Sequence, residues 1–374
     1  MRRVLVIAYH FPPVGTGGVG RALGWARHLP ASGWQPTILA ATPHPKWPRD
    51  ESLLRQVSAD VEVHRVRPWD PRPASWRGLN HRELTFLWHP PALACGRRLL
   101  QQMPHDLILA TAPPPAAHAI ASRLARQFDI PWVADFRDPW GVRAPAFWRR
   151  RRRRQYLQSA DAVIAVNETL QTHLQDSLRR AVNLLFNGFE ADEMPADVKR
   201  VPRRAVFLGT LSDFNDFDTF FAALAALDGE FLHIGAVRRY DLAARAAVAG
   251  LTRARSTGYL PRAEALREAA TGSVFLLSLK ADLELALSAK TFDYVGLGGP
   301  ILCVGDRGAA ADFIRGREGL GLVVPAHDRA QIGTALERLW TAATRIREDR
   351  RCEFARSHLT AELARILTET AARG

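Results

Sequence analysis

Five apolar residues, Val4-Leu5-Val6-Ile7-Ala8, run straight into Tyr9-His10-Phe11-Pro12-Pro13-Val14-Gly15-Thr16-Gly17-Gly18-Val19-Gly20-Arg21. A continuous apolar run suits a strand covered on both faces. Gly15 to Gly20 fits the spacing G-x-G-x-x-G at the point where such a strand turns into a helix. Glycines there let backbone N–H groups approach an anion at the helix N-terminus, where the helix dipole adds to the attraction. The chain therefore opens as a β-α unit of a parallel sheet with a candidate anion-binding turn at Gly17 and Gly18. A tight turn that serves structure alone is the competing reading. A dinucleotide is disfavoured. Its ribose would need an acid at the end of the second strand, about 20 residues on, and that strand ends Leu39-Ala40-Ala41-Thr42-Pro43, with Asp50 and Glu51 well into the following loop.

Strand-length apolar runs then alternate with helix-patterned stretches. The expected strands are Val4–Ala8, Thr37–Ala41, Val61–Val66, Leu107–Ala110, Trp132–Asp135, Ala162–Val166 and Val182–Phe186, with helices that include Gly20–Leu29, Ala116–Phe128 and Ala146–Ser159. The pattern restarts after an Asp-, Glu- and Pro-rich stretch, Glu190–Pro202, with the strand Val206–Gly209, the helix Phe217–Leu227 and further α/β segments, and it ends in a mostly helical tail, Arg329–Ala371. A length of 374 residues suits two domains. The expected fold is α/β, with two Rossmann-like, doubly wound parallel-sheet domains. Residues 1–190 form the first. Residues 191–374, with the helical tail, form the second.

Charge divides the chain unevenly. The net charge is +13, and residues 1–190 hold 26 Arg and Lys against 14 Asp and Glu. The rest of the chain is nearly neutral, and nine of the ten Trp residues lie before residue 150. Only four basic residues are Lys, which is compositional bias, but such a bias does not produce the asymmetry. A basic, Trp-rich half suits an anionic membrane surface or a phosphate-bearing partner. The run Phe147-Trp148-Arg149-Arg150-Arg151-Arg152-Arg153-Arg154 and the apolar, basic element Ala92–Met103 are the candidates for that contact, with a solvated charged face as the alternative. Six arginines without a base-reading module imply no specific nucleic acid. Three scattered cysteines, without C-x-x-C, argue against a disulfide framework or a zinc site. The first apolar run is too short for a signal-peptide core, and no run is long enough to span a bilayer, so the expected location is cytoplasmic, with peripheral attachment to the inner face of the membrane.

A second charged element follows a later strand. Asp135-Phe136-Arg137-Asp138-Pro139-Trp140 comes after Trp132-Val133-Ala134. Open α/β sheets bind ligands at the carboxyl ends of their strands, and three charges in four residues there are costly unless paired or used. Thr111-Ala112-Pro113-Pro114-Pro115 ends another strand at the same edge, with His118 one turn later. Arg137, Asp138 and His118 are the candidate catalytic residues. An Arg–carboxylate cap and a packed core His are the structural alternatives.

The order Phe-Pro-Pro, Gly-Gly-x-Gly-Arg, Pro-Pro…His, then Ala-Asp-Phe-Arg-Asp-Pro-Trp resembles bacterial GT-B glycosyltransferases of family 4, which build lipopolysaccharide and exopolysaccharide. Ser159–Val166 and Asn187-Gly188-Phe189 also sit where that family has its late strand and Asn-Gly turn. The resemblance spans almost the whole chain and is strongest before residue 190. It implies two Rossmann-like domains facing a cleft, retention of anomeric configuration, and no required metal or other cofactor. It also implies a nucleotide-sugar donor on the C-terminal domain and a glycan or lipid-linked acceptor on the basic N-terminal one. Val206-Phe207-Leu208-Gly209-Thr210 resembles the turn near the diphosphate, Gly258-Tyr259-Leu260 the stretch near the base, and Lys290-Thr291-Phe292-Asp293-Tyr294 the family's Lys-x-Phe-Glu-Tyr helix. The implied donor set is Gly17, Gly18, Gly209, Thr210, Tyr259, Lys290 and Asp293. The implied acceptor or membrane set is Arg21, Trp148, Arg149, Arg150 and Arg153.

The chain departs from the family in three places. Asp293 replaces the Glu that holds the ribose, one methylene shorter. Ser212-Asp213-Phe214-Asn215-Asp216 stands where a Lys-Gly is often found, and Leu285 replaces an upstream Glu. Lys290 then becomes the main cation on the phosphates. A sugar-nucleotide epimerase of the same fold, a non-catalytic nucleotide- or membrane-binding protein and, last, a dehydrogenase are the competing readings.

Overall fold

A computed structural model describes residues 1–15, 18–45, 47–69, 85–138, 156–212, 215–278, 284–341 and 345–373. The chain forms two compact units, Met1–Asn187 with Arg356–Gly374, and Gly188–Ala355. The first boundary falls close to the expected one. The tail does not stay with the second unit as expected, because the helix Arg356–Ala371 belongs to the first.

The first unit is built on seven parallel strands, β1 (Arg2–Ala8), β2 (Trp34–Ala41), β3 (Glu62–Val66), β4 (Leu107–Ala112), β5 (Trp132–Phe136), β6 (Ala162–Ala165) and β7 (Asn183–Leu184), in the order β3-β2-β1-β4-β5-β6-β7. Side chains alternate faces along a strand. Leu5 and Ile7 of β1 join one core, with Ile108, Trp132 and residues of the helices His89–Gln102 and Ala116–Phe128. Val4, Val6 and Ala8 join the core on the other face, with Ala22, Trp25 and Ala26 of the helix Val19–His28. Leu359, Leu363, Ile366 and Leu367 complete that second core. Their spacing draws one apolar stripe along the C-terminal helix, and Trp34 Nε1 donates to Thr368 Oγ1 at 3.2 Å. The tail therefore returns because half of the first sheet would otherwise lack a cover.

The second unit has six parallel strands, β8 (Arg204–Leu208), β10 (Glu230–Ile234), β12 (Ala254–Ser256), β13 (Val274–Ser278), β14 (Ile301–Val304) and β15 (Gly321–Val324), in the order β12-β10-β8-β13-β14-β15. A short pair, β9 (Leu211–Ser212) and β11 (Val237–Arg238), stands apart. Phe207, Phe217, Phe220, Phe221 and Phe231 pack in its core in edge-to-face and tilted pairs, with ring centroids 4.9–6.3 Å apart. Both sheets thus have the doubly wound order in which the chain reverses direction beside the first strand of the unit. The two reversal points, β1 against β4 and β8 against β13, are where such sheets open a crevice at their carboxyl edge.

Candidate functional site

In the first unit the reversal point is closed by charge pairs. Asp135, at the end of β5, is wholly buried and accepts from Arg21 Nη2 at 2.6 Å, Arg21 Nε at 3.0 Å and Thr111 Oγ1 at 2.6 Å. Arg21 is 4% exposed, and its Nη1 donates to Phe186 O at 2.7 Å. The expected acceptor or membrane role for Arg21 is therefore corrected. A carboxylate inside a sheet needs a partner, and Arg21, on the first turn of its helix, is that partner.

Arg137 spans the crevice itself. Its Nη1 donates to Gly18 O at 2.5 Å and its Nη2 to Pro113 O at 2.6 Å, which ties the loop after β1 to the loop after β4. Among the described residues its Nε has no hydrogen-bond partner. Burial lowers its pKa, against the pull of Asp135 and Asp138, and a guanidinium still stays cationic. Asp138 follows at the exposed edge.

His118 is corrected too. It is fully buried, and its Nε2 lies 3.1 Å from Ala110 O and 3.0 Å from Asp135 O. Two carbonyls at one nitrogen require the proton there, so the ring joins β4 to β5 as a neutral donor. Burial pushes its pKa down to about 4, and the ring packs on Phe136 with centroids 4.7 Å apart. So placed, the side chain braces the sheet edge. Gly17, Trp148, Arg149, Arg150 and Arg153 lie outside the described residues.

The second unit's reversal point is organised by glycines and one lysine. Gly209 ends β8 with φ +117°, and Gly235 ends β10 with φ +145°. A side chain at Gly235 would run into the Gly209 carbonyl, so the two turns touch through backbone. His233 Nε2 donates to Gly209 O at 2.8 Å, and its Nδ1 accepts from Ser256 Oγ at 2.7 Å. Gly235 N donates to Gly258 O at 2.9 Å. These bonds set the three loops after β8, β10 and β12 in one frame. Thr210 and Tyr259 stand exposed on it.

Tyr294 places the lysine. Its hydroxyl accepts from Leu208 N at 2.9 Å and donates to Leu276 O at 3.3 Å, and its ring stacks on Phe275. The helix Lys290–Leu297 is thus pinned to β8 and β13. Lys290 lies four residues before Tyr294, on the same face. Its Nζ comes 3.7 Å from the Phe207 ring centroid and 3.3 Å from where a Gly209 side chain would begin. Burial pushes its pKa down to about 7, and no carboxylate among the described residues opposes the shift.

Asp293 sits three residues further along the same helix, 7% exposed, with Oδ1 accepting from Arg262 Nη2 at 2.9 Å. Arg262 Nε in turn donates to Glu193 Oε2 at 2.5 Å. His233, Arg262 and Glu193 were not singled out in the sequence. A usable signal existed for His233, a polar residue inside the buried strand Phe231-Leu232-His233-Ile234 just before Gly235. Among the described residues no three His, Cys, Asp or Glu side chains converge as a metal site, and no helix is long and apolar enough to cross a membrane.

The fold agrees with the comparisons to known proteins. Residues 16–188 match the sequence profile of the family described as Glycosyl transferase 4-like domain. No curated protein matches the chain by sequence. Among solved structures, the chain is similar to sucrose-phosphate synthase from Thermosynechococcus elongatus, at 17% identity and TM-score 0.73, over 100% of both chains. It is also similar to HepE of Anabaena in complex with UDP, at 15% identity and TM-score 0.71, over 99% of this chain and 100% of that one. A third, AviGT4, a glycosyltransferase involved in avilamycin A biosynthesis, gives 11% identity and TM-score 0.62, over 100% of this chain and 99% of that one. Residues 16–188 thus carry a glycosyl transferase 4-like domain, and the two doubly wound parallel sheets give the whole chain the GT-B fold of these solved structures.

Proposed function

We propose that the enzyme moves a sugar, with retention of anomeric configuration, from a nucleotide-sugar donor held by the second unit to a glycan or lipid-linked acceptor held by the basic first unit. The observation that carries this reading is Lys290, against which no carboxylate stands among the described residues, beside the Gly209 turn at the reversal point of a doubly wound sheet. A diphosphate is the anion that fits such a turn, and HepE has been solved with UDP and with UDP-glucose. As the bond from sugar to diphosphate breaks, negative charge grows on the leaving oxygens. Lys290 and backbone N–H groups of the Gly209 turn stabilise that charge where it develops, and the mechanism calls on no metal. Asp293 takes the ribose, and Tyr259 lies against the base.

In the first unit Arg137 holds the loops after β1 and β4 at fixed spacing and sets Asp138 at the edge, where the carboxylate orients the reacting hydroxyl. The excess of Arg and Trp in this half of the sequence suits an acceptor that carries phosphate on a lipid, with the enzyme peripheral on an anionic membrane and acting in surface polysaccharide or glycoconjugate synthesis.

The reading is tested by thermal denaturation of the purified protein with UDP, GDP, ADP, dTDP and NAD, followed by turnover of the matching nucleotide-sugars. One nucleoside diphosphate at about 100 times its Kd is expected to stabilise the protein by about 2.7 kcal/mol, with no effect of NAD. Product NMR then reports the anomeric configuration. Stabilisation by none of the diphosphates would overturn the donor site. Conversion of a nucleotide-sugar without acceptor would turn the reading to an epimerase.

A further inference from the structure

We propose that Arg262 is the positioning residue for the donor's ribose. It clamps Asp293 from the side and so makes the shorter acid of this chain a defined acceptor for the vicinal hydroxyls. The inference rests on the donor reading of the second unit. Three elements meet at the clamp. Arg262 is the first residue of the helix Arg262–Ala269, directly after Pro261, and only three residues beyond Tyr259. Glu193 ends the short turn Ala191–Glu193, and Asp293 lies in the first turn of Lys290–Leu297. The guanidinium donates to Asp293 Oδ1 at 2.9 Å and to Glu193 Oε2 at 2.5 Å. The three side chains are 26%, 10% and 13% exposed for Arg262, Asp293 and Glu193.

Charge decides what the cluster prefers. One guanidinium against two carboxylates leaves it one charge negative. It repels phosphate, attracts hydroxyl donors, and lies one helical turn from Lys290, which has the opposite preference. A nucleoside diphosphate presents these two chemistries side by side, diol next to diphosphate. Arg262 engages Oδ1 of Asp293 in a planar, charge-assisted bond. That bond fixes the carboxylate plane, which a free Asp rotor would not hold, and leaves Oδ2 to accept from a ribose hydroxyl. Without Arg262, two little-exposed carboxylates would face each other, and Asp293 would turn away from its neighbour. A site built to receive a hydroxyl discriminates strongly against an analogue that lacks it, so the clamp also makes the enzyme selective for ribonucleotides.

The experiment compares Kd values for UDP, GDP and ADP with those for dUDP, dGDP and dADP, on the full-length protein and on Arg262→Met, Arg262→Lys and Glu193→Gln. For whichever ribonucleotide binds, Arg262→Met is expected to lose about tenfold in affinity, the worth of one charge-assisted hydrogen bond. The 2′-deoxy counterpart should change by less than about twofold, so the preference for ribose collapses. Arg262→Lys, which keeps the charge but not the fork, should recover part of that preference, and Glu193→Gln should show a smaller loss of the same kind. A purely structural Arg262 would weaken both ligands alike. Two results overturn the inference. One is Arg262→Met and Arg262→Lys proteins, folded by circular dichroism, that keep the wild-type ratio of ribo to deoxy affinity. The other is a wild-type protein with no ribose preference. If wild type binds none of UDP, GDP, ADP and dTDP, the donor reading fails first and takes the clamp with it; a wild type that binds dTDP alone overturns the clamp and leaves the donor reading standing.

Discussion

The two reversal points share a topology and differ in what fills them. In the first unit the buried charges described at the crevice are used within the protein: Asp135 takes Arg21 and Thr111, and Arg137 donates to the carbonyls of Gly18 and Pro113, which leaves only Asp138 exposed at the edge among the described residues. In the second unit the corresponding place holds Lys290 over an aromatic ring, with burial and, among the described residues, no carboxylate acting on it. Strand order therefore fixes where a crevice opens. Charge neutralisation from within decides whether it still wants a ligand. The first unit carries the more conspicuous glycine motif, yet its turn is tied down by Arg137. The second, with a single glycine after β8, holds the unmatched cation.

The largest expected effect comes from breaking the closed crevice. Asp135→Ala leaves Arg21 buried without its carboxylate, and loss of one partner of a buried pair costs roughly 3–5 kcal/mol. Urea denaturation should show that loss. The double variant Arg21→Met/Asp135→Leu, which removes the pair together, should regain most of it. If Asp135→Ala costs less than about 1 kcal/mol, the range of an exposed pair, the contrast between the crevices is wrong.

His118 sharpens the same contrast through acid. Its pKa is lowered from 6.5 to about 4. The unfolded chain therefore binds the proton first, and stability falls as pH drops from about 6.5 to 4, by at most about 3 kcal/mol from this group. His118→Phe, which stays apolar, should flatten the fall seen in thermal midpoints over that range. An unchanged slope would mean that the imidazole is not held neutral between β4 and β5.

The parallel strands and their helices were legible because long apolar runs leave little choice of environment. Val4–Ala8 and Leu107–Ala110 fall inside β1 and β4, each two residues short at one end. β12 was not read, because Ala254-Arg255-Ser256 is a three-residue edge strand with only one apolar side chain. The return of the C-terminal helix to the first unit was missed for a different reason. Its apolar stripe says that it must be buried, and nothing local says by which sheet. The same limit governs the sites. Arg137 and Lys290 were picked out because they stand at strand ends or helix starts that the resemblance marks. The partners that decide their roles, Gly18 O for Arg137 and Phe207 for Lys290, lie 119 and 83 residues away in sequence. Arg21 and His118 looked like ligand contacts for the same reason. Their types and positions suit a site, and only tertiary packing shows that each is consumed by Asp135.

The smallest expected effect is also the most selective for the second crevice. Lys290 has its pKa lowered from 10.5 to about 7. Between those values the unfolded chain carries the extra proton, so this group makes the unliganded protein more stable as pH rises from about 7 towards 10. A bound diphosphate favours the ammonium and raises that pKa, so binding takes up a proton. Affinity for the preferred nucleoside diphosphate should then fall from pH 7 to 9, by no more than about tenfold per pH unit. Lys290→Met should abolish both slopes and lower affinity at pH 7 by about tenfold or more. Calorimetric titration in buffers of different ionisation heat would count the proton directly. Arg137 holds its charge throughout this range, so a proton taken up there goes onto Lys290. A pH-independent affinity that Lys290→Met leaves intact would show that the unmatched cation is not what binds the anion, and the difference between the two crevices would lose its functional meaning.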